Sequence, residues 1–302
     1  MTRVTNLAQH DRMISLIMQT QSDADNVQQQ ISSGKKSQTY QGIATDASRL
    51  VDLEVTHSRV DQYVKNNGQV DDRLQLMESN TGQIGDILSN FKGLLVNALN
   101  QGNAAELDLP TNASEMLKQV ASLLNANLDG RHLFAGTMTD TTPVDLSALP
   151  ASYTIPTVTG ASSSYYQGDS TKLTVRADDN LDLQYGITAD SQGFEEAIRA
   201  LDVVVKGAPT DTTMLNHALD VVNSAISDVA NIRTQIGNTR STIAQIDKSH
   251  SNFQQFADQT IGDLENTDVT EAITRLNSAQ TTLQASYMTL SALGKMNLMQ
   301  FM

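Results

Sequence analysis

Between residues 215 and 264, apolar side chains recur in alternating steps of three and four without a break. Leu215, Ala218, Val222, Ala225, Val229, Ile232, Ile236, Thr239, Ile243, Ile246, His250, Phe253, Ala257, Thr260 and Leu264 mark seven heptads, and twelve of these fifteen positions are apolar. An overall apolar content of 39% would place about six there by chance, so the stripe reads as a coiled-coil seam on a single helix. Such a helix reaches about 75 Å at 1.5 Å of rise per residue, and only a partner of similar length can cover it.

Segment 46–99 is that partner. Its stripe runs through Leu50, Leu53, His57, Val60 and Val64, then through Val70, Leu74, Met77, Thr81, Ile84, Leu88, Phe91, Leu95 and Ala98. The frame slips by three near Asn67, which overwinds a supercoil locally without ending it. Weaker stripes occupy both ends: Val4, Leu7, Ile14, Ile17, Ala24, Val27 and Ile31 at one, and Val269, Ile273, Leu276, Leu283, Tyr287 and Leu290, followed by Met296, Leu298, Met299 and Phe301, at the other. An isolated amphipathic helix cannot bury its stripe, so each end needs the opposite end or another molecule.

Shorter helices are expected over 112–128 and 193–205. Between them, 137–160 is rich in Thr, Pro and Ser, while 172–177 and 181–188 read as strands joined by the turn Asp178-Asp179-Asn180. The expected fold is mainly α: a long antiparallel helical hairpin or coiled-coil rod with paired terminal helices and a small β-rich insert at the tip. Three domains follow, with 1–45 and 265–302 as a terminal helical assembly domain, 46–136 and 193–264 as a helical rod, and 137–192 as the β insert.

Composition removes several classes of function. Aromatic residues make up 4% of the chain and Trp is absent, which suits thin helical layers better than a thick core. A net charge of -14 argues against nucleic acid and anionic membrane surfaces as partners. The absence of Cys removes disulfide, thiolate-metal and cysteine-nucleophile chemistry. The first eighteen residues hold no continuous apolar core of the kind a cleaved secretory signal needs, and no stretch approaches the length of a membrane span.

No catalytic constellation emerges, and no metal or cofactor is expected. His10, His57, His132, His217 and His250 match no metal-binding spacing, and His57 and His250 fall on heptad core positions, where a polar residue sets register or faces a partner. Turn chemistry accounts for Asp178 and Asp179, and a solvated first helical turn for Glu195 and Glu196. Gly34-Lys35-Lys36-Ser37 lacks the upstream glycine and apolar strand of a phosphate loop and reads as a helix break.

In order along the chain, these segments resemble the flagellin superfamily. Ile31-Ser32-Ser33-Gly34-Lys35 is similar to that family's amino-terminal helix break. Asn125 and Asp129-Gly130-Arg131-His132-Leu133-Phe134-Ala135-Gly136-Thr137, with Pro143 beyond, and Tyr166-Gln167-Gly168-Asp169 followed by Val175, Gly186 and Gly193-Phe194, resemble the branch at the hook-filament junction. Filament flagellins usually lack that pairing. Where the family follows its helix break with an Asp-Asp-Pro type sequence, this chain has Thr45-Asp46-Ala47-Ser48, and the connector 36–46 is longer.

The resemblance implies a subunit exported unfolded through the flagellar type III channel with an export chaperone. Its implied partners are copies of itself in a ring or tube, a hook-side junction protein and flagellin. The assembly surface then includes Val4, Leu7, Ile14, Val27, Ile31, Ile273, Leu276, Leu283, Tyr287, Leu290, Leu298 and Phe301. Gly130, Arg131, Leu133, Phe134 and Gly136 form a tip segment, read either as a glycine-capped helix stop plugged by Phe134 or as an intersubunit contact. The competing readings are filament flagellin, a cytosolic coiled-coil scaffold or signalling rod, and, last, an enzyme.

Overall fold

A computed structural model describes residues 2–44, 46–101, 107–153, 162–208 and 211–299, with side chains throughout except at 2–7, 101 and 293–299. The heptads become helices: α1 (Thr2–Ser33), α2 (Ala47–Gln101), α3 (Leu109–Leu124), α4 (Gln192–Lys206), α5 (Thr212–Glu265) and α6 (Val269–Met299). Two antiparallel hairpins pair β1 (Asn127–Leu128) with β2 (Arg131–His132) and β3 (Leu173–Asp178) with β4 (Leu181–Tyr185). Local chemistry sets the ends. Asp211 caps α5 by accepting from the Thr213 and Met214 N–H groups, and Asp268 caps α6 through Thr270 and Glu271. Gly34 ends α1 at φ +71°, its N–H bonded to the Gln30 carbonyl, a left-handed stop at the helix break expected of this segment.

The chain divides into two compact units, one of residues 1–59 and 252–302 and one of 60–251. In the second, Val60, Tyr63, Asn67, Val70, Leu74, Met77, Thr81, Ile84, Leu88, Phe91, Leu95 and Ala98 of α2 are all buried, in unbroken steps of three and four. All fifteen predicted seam positions of α5 are buried or half-buried. The two helices run antiparallel there, since Asn67 bonds Asp247, Asp71 and Glu78 hold Arg240, and Gly85 lies against Val229. The frame slip falls earlier than expected. Two successive three-residue steps, Val60 to Tyr63 from His57, carry the seam through Tyr63 rather than Val64, and α2 passes through without a break.

α3 and α4 pack on each other and close the core of this unit, which takes in Leu109, Leu117, Leu124, Phe194, Ile198 and Leu201. Gly193 permits the approach of α4 to α5, because a Cβ there would stand 2.8 Å from the Val229 backbone nitrogen. That approach corrects the expectation for Glu195 and Glu196. Both carboxylates are buried, because α4 lies between neighbours on several sides; Glu195 is satisfied by Arg199 at 2.9 Å and by the Ser162 N–H.

The β-rich insert does not project from the end where α2 and α5 are joined. It folds back along them: His250 Nε2 lies 2.9 Å from the Ala177 carbonyl oxygen, Asn67 donates to the same oxygen, and the Tyr63 hydroxyl donates to Asp179. The Tyr63 and His250 rings stack at 5.9 Å. Polar residues on an otherwise apolar seam therefore act as the stations that hold the insert, which heptad reading alone does not reveal.

Candidate assembly surfaces

Within the unit of chain ends, α1 and α6 pack side by side. The end of α1 is tied to the start of α6: the Lys36 N–H donates to the Glu265 carbonyl at 2.6 Å, the Thr267 N–H to that of Gly34 at 2.9 Å, and Lys35 Nζ pairs with Glu265 at 2.9 Å. The Glu265 carboxylate and its charge raise the Lys35 pKa. The connector forms one turn over Tyr40–Ile43, and the Tyr40 hydroxyl donates to Glu54 at 3.0 Å, which raises the phenol's pKa. From these ties the helices run antiparallel.

Their shared seam is built from small and medium side chains. Met13, Ile17, Thr20, Ala24, Val27 and Ile31 of α1, and Ala272, Leu276, Ala279, Leu283, Ser286 and Leu290 of α6, are buried or half-buried, again in steps of three and four. Leu276, Leu283 and Leu290 thus sit on the covered side, with Val27 and Ile31 opposite and Ile14 half-buried beside them. Ile273 and Tyr287 are on the other side, 45% and 49% exposed, with Met288 at 74%. On α1, Leu16 and Met18 are exposed as well. The side chains of Val4, Leu7 and Leu298, and all of Phe301, lie outside the described residues. α6 therefore has two apolar sides, one covered within the chain and one facing outward, while on α1 Leu16 and Met18 lie exposed on opposite flanks of Ile17.

The segment read as a tip is a latch. Asp129 and Gly130, at φ +53° and +77°, form a two-residue turn between β1 and β2; α3 has already ended at Asn125. Gly130 is therefore a hairpin residue and not a helix cap, and the Asp-Gly pair was the available sequence signal. Beyond the turn, Leu133 and Phe134 are buried, and Phe134 meets Phe194 edge to face at 5.6 Å. The next residues join the two motifs that lie some thirty positions apart. Asp169 accepts from the Thr137 N–H and hydroxyl, its own N–H reaches the Ala135 carbonyl at 3.2 Å, and the Tyr166 hydroxyl donates to the Asp169 carbonyl at 2.6 Å. The Thr137 bonds hold the Asp169 carboxyl below the usual carboxylate range. Gly136, at φ +69°, could take no side chain, since a Cβ would stand 2.1 Å from the Asp169 carbonyl.

An open groove of about 380 Å³ between α2 and α3 is lined by Gln83, Asp86, Ile87, Gln119, Ser122 and Leu123, a set without a nucleophile beside a base. Among the described residues no group of three or more His, Asp or Glu is placed to hold a metal ion. No described helix is long and apolar enough to cross a membrane.

Paired terminal helices, a four-helix middle and the Gly136–Asp169 latch define a class. Residues 4–139 match the bacterial flagellin N-terminal helical region and residues 219–302 the bacterial flagellin C-terminal helical region. Together the two matches take in most of the sequence, and the chain belongs to the bacterial flagellin family. Within it, the chain is similar to flagellar hook-associated protein 3 of Escherichia coli strain K12, 25% identical over 294 residues and 90% of each chain. It is likewise similar to the Salmonella typhimurium protein of that name, 23% identical over 320 residues and 99% of each. In fold it resembles Bacillus cereus FlgL, with a TM-score of 0.57 at 18% identity over 70% of this chain and 99% of that one. A flagellar hook associated protein-3 from Legionella pneumophila gives 0.56 at 12% identity, over 70% and 98% respectively.

Proposed function

We propose that this chain is a structural subunit of the bacterial flagellum that joins hook to filament, and that its activity is assembly and not catalysis. One observation carries the reading: α6 keeps an outward apolar side, with Ile273, Tyr287 and Met288 uncovered in a single copy, and Leu16 and Met18 of α1 are uncovered as well. Such a side is stabilised only by neighbours. In this reading residues 1–45 and 265–302 form the assembly domain, 46–136 and 193–264 the helical middle, and the insert of 137–192 faces outward. The partners are further copies, a hook-side junction protein, flagellin and an export chaperone, and the route out of the cell is the flagellar type III channel.

Likeness over nearly the full length to two proteins named flagellar hook-associated protein 3 supports the junction over the filament. Gold-labelled antibody against the chain on intact flagella tests the assignment. Label confined to the boundary of hook and filament is expected. Label along whole filaments would make the chain a filament flagellin, and protein found only in the cytosol would make it a scaffold.

A further inference from the structure

The chain is strongly acidic, with 34 Asp and Glu against 20 Lys and Arg. Copies packed in an assembly therefore repel one another unless cations on one meet carboxylates on the next. Several of its arginines are already taken within the chain: Arg199 by Glu195, Arg240 by Asp71 and Glu78, Arg233 by Glu78 and Arg275 by Glu271. Arg73 and Arg131 are in no such ion pair among the described residues.

These two meet at the β1–β2 hairpin. Its turn presents Arg131 exposed, and Arg73 of α2 donates through Nη2 to the carbonyl of the adjacent residue, His132, at 3.2 Å. That bond fixes Arg73 without neutralising it, and its Nε–H is buried with no acceptor. Asp71, close by on α2, is committed to Arg240. Both guanidinium groups act on one phenol: burial raises the Tyr185 pKa, and the charges of Arg73 and Arg131 oppose it.

We propose that Arg73 and Arg131 form a docking point for an Asp or Glu side chain of a second copy of this chain. The exposed Arg131 guanidinium can grip a carboxylate through paired N–H bonds, and the charge of Arg73, bonded to the same hairpin, adds to the attraction. The hairpin fixes the backbone of Arg131 next to the turn, and Arg73 is anchored by its bond to the His132 carbonyl. The inference rests on the assembly reading above and adds to it a polar contact on the middle unit.

The test uses sheared, intact flagella from cells making the full chain with Arg131→Lys, which keeps the charge and supplies an amine that a zero-length carbodiimide can join to a touching carboxylate. The expected result is a dimer band whose joined peptides contain residue 131 from one copy and an acidic residue from the other. Arg131→Glu should lower the amount of subunit in flagella by about tenfold, while the thermal midpoint of the purified monomer stays unchanged. Wild-type protein absent from flagella would overturn the assembly reading and this inference together. Wild-type protein present, with joins from residue 131 only within one copy or none at all, would overturn this inference alone.

Discussion

Gly136 and Gly130 both sit at positive φ, yet the structure gives them different weight. At Gly136 an added methyl group meets backbone that is bonded into the latch, whereas nothing lies within 4 Å of the Cβ position at Gly130. Gly130→Ala should cost about 1 kcal/mol of unfolding free energy, the strain of the left-handed backbone alone, and Gly136→Ala roughly 2–4 kcal/mol. Urea unfolding of the two variants measures the gap, and equal costs would mean that the latch yields freely. Asp169 adds a pH dependence whose sign is fixed. Its folded pKa lies below its unfolded value, so its contribution is fully present above the unfolded value of about 4 and is lost as pH falls through the folded one. Asp169→Asn should therefore flatten the acid limb of the melting curve between about pH 5 and 2, and an unchanged limb would refute the latch's part in it. The residue types of this latch were readable as two motifs, because Gly, Phe and Asp in fixed order leave a trace. That they bond each other was not, since contact between residues 137 and 169 depends on how the intervening chain returns.

Helices were the most legible level, for a physical reason. A seam repeated over seven heptads averages out local exceptions, so the α5 stripe emerged position by position, and Leu50 and Leu88 likewise took their expected burial. What periodicity misses is a helix with more than one neighbour. Glu195 and Glu196 looked solvated because a charged pair in a first turn usually is, but α4 is enclosed, and the i,i+4 pairs Glu195–Arg199 and Asp202–Lys206 were the clue that charges of α4 serve each other. The end helices pose the same problem in reverse. Leu283 and Tyr287 belong to one sequence stripe, yet Leu283 is half-buried on the α1 side and Tyr287 faces out. Leu283→Ala should destabilise the monomer's chain-end unit by about 1–3 kcal/mol. Tyr287→Ser should leave monomer stability within about 0.5 kcal/mol but reduce incorporation into flagella. Paired melting and incorporation measurements separate the two, and a monomer weakened equally by both would dissolve the distinction between covered and outward sides.

At the scale of the whole chain, the two units differ in what holds them. The middle unit has a continuous core from Val70 to Ile243 that includes Leu88, Phe91, Phe134 and Phe194, while the buried apolar residues of the chain-end unit are few and mostly small: Ile17, Ala24, Leu50, Ala257 and Ala272. Local opening follows from sparse apolar burial, since little is lost when such a segment separates. Amides of α1 and α6 in the isolated monomer should exchange with solvent by local opening, orders of magnitude sooner than those of α2 and α5 between residues 70 and 243. A protease should accordingly trim roughly the first 35 and last 40 residues from the monomer and leave the middle intact. Under the proposed assembly the outward sides of the same helices gain neighbours in flagella, and both exchange and trimming should slow there. The change between the two states is the decisive quantity, because a lone copy already pairs α1 with α6. Ends as protected in the free monomer as in the organelle would mean that neighbours add nothing to them, and assembly through the chain ends could not then be what this chain does.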